Sequence, residues 1–290
     1  EAHYNLGVVL EELGRLGEAE ASFKQVIALK PDYPEAHYNL GVTFQQLGRL
    51  NEAKASYTQS IALNPDYPEA HNNLGAILHE LGRLDEAEAS YTQAIALKPN
   101  YAEANSNLGN TLQKLGRFNE AETSYKQAIA LKPDYSEAHL NLCELLKTMN
   151  RVDELLSFIR NECRKILENT ADFLYFEALI EFRKENYETA SELMEKININ
   201  ELMDNRHLSA IKLQGDIHHH KKNYSAAFEC YESKNKHVKD SIEYKRLDAE
   251  KYFIQQKEKV TQIEQSKEQY TYKSVVKPKW IQPTFLIGFP

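Results

Sequence analysis

Five asparagines recur at intervals of 34 residues and are the side chains of this sequence best suited to binding. They are Asn5, Asn39, Asn73, Asn107 and Asn141. A primary amide both donates and accepts hydrogen bonds, so a row of amides can hold a peptide backbone without reading its sequence. Each asparagine precedes a leucine, which places it about 100° around a helix from an apolar position. The spacing predicts a peptide-binding row, and packing between repeats is the alternative role.

Five glutamates share that helix face one turn earlier, at Glu1, Glu35, Glu69, Glu103 and Glu137. A carboxylate in the first turn of a helix interacts favourably with the helix dipole. The sequence therefore assigns these glutamates to helix starts rather than to a ligand.

Two other groups of residues carry possible chemistry. His218, His219 and His220 are adjacent, and adjacent side chains on a helix point about 100° apart, so they are poorly placed to close on one metal ion. We expect a solvated helix end there and no metal site. The cysteines, Cys143, Cys163 and Cys230, are odd in number and not closely spaced, which indicates reduced thiols and a cytoplasmic protein.

Charge and hydropathy exclude other functions. The 290 residues carry a net charge of −8; residues 205–279 hold 16 basic and 10 acidic residues, so the rest carries −14. An acidic body argues against a nucleic-acid groove, because phosphates require clustered cations. No apolar run approaches the roughly 18 residues of a membrane span, and no signal peptide is evident. The chain opens without Met, within the repeat pattern, and we expect it to be part of a longer protein.

The asparagines belong to a repeat that dominates the sequence. Residues 34–67 and 68–101 match at 23 of 34 positions without a gap. In each repeat, apolar residues fall on one face of two consecutive helices, and Gly and Pro end those helices. Each helix pair buries only one side, so neighbouring pairs must stack.

Four sets of residues in this pattern resemble the tetratricopeptide repeat. The matching residues are Leu6-Gly7, Leu40-Gly41, Leu74-Gly75 and Leu108-Gly109; Ala19, Ala53, Ala87 and Ala121; Phe23, Tyr57, Tyr91 and Tyr125; and Pro31, Pro65, Pro99 and Pro133. The resemblance implies an all-α, right-handed solenoid of antiparallel helix pairs whose first helices line the concave surface. The nucleocytoplasmic O-linked N-acetylglucosamine transferases carry a similar row of asparagines, which suggests the peptide-presenting arm of a glycosyltransferase as one alternative.

The repeat decays after Asn141, and the end of the chain changes character. We predict four regular repeats at 1–135, degenerate helical repeats at 136–240, a capping helix at 241–269, a linker at 270–283 and a short strand at 284–290 that begins a truncated α/β domain. Residues 284–290, Thr-Phe-Leu-Ile-Gly-Phe-Pro, resemble the first strand of sulfotransferases, which runs into a phosphate-binding loop. Many bacterial proteins join a tetratricopeptide array, a helical connector and such a domain, including protein-tyrosine sulfotransferase-like members.

This second resemblance implies that Gly288, Phe289 and Pro290 lead into a loop for 3′-phosphoadenosine-5′-phosphosulfate, although the loop and any catalytic residue lie outside the chain. The array would then recruit proteins or peptides for a sulfotransferase. A scaffold without catalysis is the other alternative.

Overall fold

The computed structural model describes residues 1–168, 170–202 and 204–240, and these residues are helical apart from short connections. No strand occurs among them, so the described part of the chain is an all-α array. The predicted capping helix at 241–269, linker at 270–283 and strand at 284–290, with Gly288, Phe289 and Pro290, lie outside the described residues. No helix in the described part is both long enough and apolar enough to cross a membrane.

The helices pack in consecutive pairs, as the repeat predicted. The first four pairs are α1 (Ala2–Glu12) with α2 (Leu16–Leu29), α3 (Pro34–Gln46) with α4 (Leu50–Leu63), α5 (Pro68–Glu80) with α6 (Leu84–Leu97), and α7 (Ala102–Lys114) with α8 (Phe118–Leu131). Next come α9 (Ser136–Thr148), α10 (Val152–Phe158), a π-helical turn (Ile159–Cys163) and α11 (Arg164–Leu167). The last helices are α12 (Ala171–Arg183), α13 (Tyr187–Glu195), α14 (Asp204–His220) and α15 (Tyr224–Asp240), with a 3₁₀ turn (Ile199–Glu201) between α13 and α14.

A left-handed residue ends the first helix of each pair and turns the chain into the second. In the regular repeats this residue is glycine, for example Gly48 with φ of 70°. Only glycine adopts this conformation without steric strain, which explains its recurrence every 34 residues. In later pairs the position holds Asn150, Glu185 and Lys222, which keep φ between 57° and 64°. The turn geometry therefore persists where its sequence signal is lost.

The two helices of a regular pair approach closely because a second glycine lies under an aromatic ring. A β-carbon built on Gly41 would lie 2.7 Å from Cε1 of Tyr57, and one on Gly109 would lie 2.5 Å from Cε1 of Tyr125. Both distances are shorter than real contacts of β-carbons. The two helices are therefore so close that any residue larger than glycine at this position would push them apart.

The fifth pair changes both partners of this contact together. Cys143 stands at the glycine position and Ile159 at the aromatic position, and both are buried. A larger residue thus replaces the glycine and a smaller one replaces the aromatic residue, and the helix pair is kept although the glycine signal fails. The sixth pair uses Ala178 and Met194 in the same way, while the seventh returns to Gly215 under Tyr231.

Charged pairs connect the second helices of neighbouring repeats. Arg49 precedes α4 and forms ion pairs with Glu52 in its own repeat and with Glu20, at 2.7 Å, in the repeat before. Hydrogen bonds from Lys24 and Arg49 lower the pKa of Glu20, although its partial burial opposes this. Arg117 and Arg151 repeat the arrangement, so these ions join successive repeats in one register.

A buried arginine links the fifth, sixth and seventh helix pairs. Arg206, on α14, is fully buried and pairs with Asp172 of α12 at 2.9 Å. Its Nη2 also donates to the carbonyl of Leu140 on α9 at 3.2 Å. Removing one partner of a buried ion pair is strongly destabilising, so this contact ties three helices into one unit.

The contact between Gly109 and Tyr125 gives a test of the packing rule. Gly109→Ala should destabilise the protein by about 1–3 kcal/mol, because the added methyl group overlaps the tyrosine ring. In a Tyr125→Ile background the same substitution should be neutral or stabilising, since alanine favours a helix by about 1 kcal/mol over glycine. Urea unfolding of the parent, the two single variants and the double variant measures the coupling free energy between positions 109 and 125. Equal effects of Gly109→Ala in both backgrounds would contradict the rule.

Candidate peptide-binding surface

The asparagine row lies on the surface that the first helices form together, α1, α3, α5, α7 and α9, which we name the first-helix face. Consecutive first helices meet through the asparagines. Nδ2 of Asn39 donates to the hydroxyl of Tyr4 at 2.9 Å, and Nδ2 of Asn73 donates to the hydroxyl of Tyr38 at 3.1 Å. Each asparagine therefore bonds to the repeat before its own.

Later repeats make the same connection through different acceptors. Nδ2 of Asn107 donates to Oδ1 of Asn72 at 3.2 Å, and Nδ2 of Asn141 donates to Oδ1 of Asn110 at 3.0 Å. The four asparagines are half-buried, whereas Asn5 is exposed. The structure thus brings four of the five predicted site residues into bonds between repeats, which is the packing role, and the peptide-binding role stays a prediction.

Tyrosines are the feature of this face that the sequence analysis missed. Tyr33, Tyr67, Tyr101 and Tyr135 recur every 34 residues, immediately before a first helix, and are half-buried. The ring of Tyr67 packs on Tyr38 with centroids 4.9 Å apart, and the ring of Tyr33 packs on Tyr4 at 5.2 Å. The 34-residue spacing was the available signal. Tyrosine offers an apolar ring and a polar hydroxyl, which suits a peptide surface.

The predicted glutamates give this face a negative field. Burial raises the pKa of the Tyr38 hydroxyl; the Asn73 hydrogen bond lowers it, and the carboxylates of Glu69 and Glu103 raise it further. Burial, followed by Glu137 and Glu103, raises the pKa of Tyr135 to about 12. The glutamates therefore lie near the tyrosines, in addition to standing in the first turns of their helices.

A histidine also joins two first helices, near their C-terminal ends. Nδ1 of His79 lies 2.9 Å from the hydroxyl of Thr111, again across a repeat boundary. Burial, and to a smaller extent the charge of Lys114, lowers the pKa of His79. This histidine is therefore held as a neutral packing residue at neutral pH.

The remaining candidate groups are occupied by packing. His220 is exposed at the last position of α14, as the predicted solvated helix end requires, and its ring stacks on Tyr187 with centroids 4.5 Å apart. The described residues hold no His, Cys, Asp or Glu group suited to a metal ion. Cys143 and Cys163 are both buried, with sulfurs 3.7 Å apart, and burial raises the pKa of the Cys143 thiol.

Comparison with known families identifies the repeat. Models described as tetratricopeptide repeat match residues 38–102 and 102–135, and one described as TPR repeat matches residues 10–48. Together they cover residues 10–135 and confirm the repeat prediction there. These matches end before residues 284–290 and do not test the resemblance of that segment to sulfotransferases. No curated protein sequence matches the chain.

Solved structures share the fold. A tetratricopeptide repeat protein from Parabacteroides merdae is 19% identical, with a TM-score of 0.64, covering 81% of this chain and 91% of its own. YrrB, described as a TPR protein with an unusual peptide-binding site, is 20% identical, with a TM-score of 0.51, covering 72% and 97%. MamA is 24% identical, with a TM-score of 0.52, covering 55% and 93%. At these identities the likeness shows the fold alone.

Asn73 and Asn5 form a matched pair for testing the packing role of the row. Asn73→Ala should destabilise the protein by about 0.5–1.5 kcal/mol, because the hydroxyl of Tyr38 loses a half-buried donor. Asn5→Ala should change stability by less than about 0.5 kcal/mol, since Asn5 is exposed. Urea unfolding measures both. Equal losses would show that these hydrogen bonds add nothing to the joining of repeats.

Proposed function

Residues 10–135 of this chain are tetratricopeptide repeats, and on that basis we propose that the array binds other proteins through an extended peptide segment on its first-helix face. The single observation that carries the proposal is the continuity of this face. The same asparagine, tyrosine and glutamate positions recur in every regular repeat, so the polar groups are spaced regularly along one surface. The three free thiols suit a reducing compartment, and the proposal places the protein in the cytoplasm.

The asparagines would contribute both acceptors and donors. Nδ2 of Asn39 and Nδ2 of Asn107 each use one of their two N–H groups within the array, so the carbonyl oxygen and the second N–H are offered to a peptide backbone. Tyrosine hydroxyls on the same face can donate to peptide carbonyls. Backbone contacts of this kind favour an extended chain and leave its sequence largely free.

Rigidity of the face supports binding as well. The inter-repeat hydrogen bonds fix the asparagine and tyrosine side chains before any ligand arrives, so less side-chain freedom is lost on association. The peptide-binding site named for YrrB supports the same kind of ligand by analogy of fold only.

Replacing the central asparagines tests the proposal. A displayed library of random peptides of about 12 residues, which span about 40 Å when extended, supplies a ligand. Asn39, Asn73 and Asn107 changed together to Ala should weaken that ligand at least about tenfold by fluorescence anisotropy, through loss of several hydrogen bonds.

The control carries Asn51→Ala and Asn119→Ala, which alter two exposed asparagines on second helices. It should bind as the parent chain does. Circular dichroism checks that every variant is folded. If the library yields no binding peptide, or if the triple variant and the control lose peptide affinity equally, binding on the first-helix face is contradicted.

The sequence of residues 284–290 supports a narrower proposal, that the array recruits substrates for a sulfotransferase that uses 3′-phosphoadenosine-5′-phosphosulfate. The test extends the chain through its natural C-terminus and titrates 3′-phosphoadenosine-5′-phosphate by calorimetry. Saturable binding is expected. A folded, extended protein without binding would leave the plain scaffold, or the arm of a glycosyltransferase if a different α/β domain follows.

A further inference from the structure

Three of the four regular repeats place a lysine over the tyrosine that follows the repeat's second helix. The ammonium groups of Lys30, Lys98 and Lys132 lie 4.7, 4.6 and 5.2 Å from the ring centroids of Tyr33, Tyr101 and Tyr135. These distances are within the range of cation–π attraction. The tyrosine position of the first-helix face is therefore built to receive a cation.

The third repeat shows the full set of partners that such a lysine can have. Nζ of Lys98 lies 2.9 Å from Oε1 of Glu69, the glutamate at the start of that repeat's first helix, while it also covers Tyr101. One ammonium group thus connects a carboxylate and an aromatic ring at the edge of the face.

The second repeat has both partners without the lysine. Asn64 stands where Lys30, Lys98 and Lys132 stand in their repeats, and its Oδ1 accepts from the backbone N–H of Asp66 at 3.3 Å. Among the residues the structure describes, no cation lies over the ring of Tyr67 and none pairs with Glu35. Glu35 and Tyr67 hold the positions of Glu69 and Tyr101 in the third repeat, where one ammonium group reaches both the carboxylate and the ring. In agreement with this placement, Glu35 is among the groups that raise the pKa of Tyr67, after burial.

The surroundings of Tyr67 favour an incoming cation. The ring of Tyr38 packs on it, and a second carboxylate, Glu69, also acts on its hydroxyl. The five first helices, α1, α3, α5, α7 and α9, together hold eight acidic and two basic residues, which is a net charge of −6. Counting the three lysines over the tyrosines, Lys30, Lys98 and Lys132, the face keeps a net charge of −3. Such a face attracts cationic partners and repels acidic ones.

We propose that Glu35 and Tyr67 form a subsite for the lysine or arginine side chain of a bound peptide, in the place that the chain's own lysine fills in the neighbouring repeats. The inference rests on the proposed function and specifies the partner: an extended segment that carries basic residues. Glu35 forms an ion pair with the cationic group, and the face of the Tyr67 ring contacts the same group. The asparagine row holds the peptide backbone beside this side chain.

The test uses the whole chain and a fluorescein-labelled peptide of glycine, serine and regularly spaced lysine. A second peptide with glutamine in place of every lysine measures the contribution of charge. At low ionic strength the lysine peptide should bind at least about fivefold more tightly by anisotropy. Asn64→Lys should reduce that binding about fivefold, because the new lysine occupies the subsite. Glu35→Gln should weaken it similarly.

Asn51→Lys is the matched control, since it adds the same charge at an exposed position of α4. It should change binding less than about twofold. Asn64→Lys is not expected to disturb folding, because it restores the pattern of the other three repeats. Equal effects of the two lysine variants, or no preference for the lysine peptide, would overturn the subsite. If library peptides still bind the Asn39, Asn73 and Asn107 triple variant more weakly than the parent chain, the proposed function stands even though the subsite does not.

Discussion

The close approach of the two helices in a pair is the constraint on which the array depends. Gly41 lies under the ring of Tyr57 with no space for a β-carbon, and this contact sets how the second helix sits on the first. When the packing within one helix pair is fixed, the angle between that pair and the next is fixed as well. Because the same pair is repeated, each first helix presents its asparagine, tyrosine and glutamate in the same direction. The continuous first-helix face is therefore a consequence of packing between small and aromatic residues.

Much of this was predictable because periodicity carries it. The 34-residue spacing predicted the helix pairs of residues 10–135, their turns and the shared face of Asn39 and Asn73. It could not predict that Nδ2 of Asn73 bonds to Tyr38, because that contact depends on how two repeats stack. Nor did it explain the decay after residue 141. Cys143 and Ile159 replace the glycine and the tyrosine together and are both buried, a change that a search for glycine and tyrosine does not detect.

The asparagine row shows how one residue serves structure and supports a binding proposal. An amide has two functional ends, and the array uses the nitrogen of Asn39 to join repeats. This use orients the oxygen and removes much of the freedom of the side chain. One position can therefore combine packing and binding, since the packing contact orients the group proposed to bind. The same reasoning applies to the tyrosines, whose rings pack between repeats while the residues stay half-buried.

The register of the ion pairs between second helices has a consequence for how such a gene can change. Arg49 pairs with Glu20, and Arg117 pairs with Glu88, across the same interval of 29 residues. Lys54 stands 29 residues before Arg83, so that boundary between repeats lacks the pair. A duplication or deletion of one whole repeat by unequal recombination leaves an arginine with an equivalent glutamate wherever the repeat before it carries that glutamate. The regular array can thus grow or shrink at those boundaries in single steps without new partners. Arg206 has no such equivalent, because its contacts with Leu140 and Asp172 occur once, so that end of the molecule is inherited as a unit.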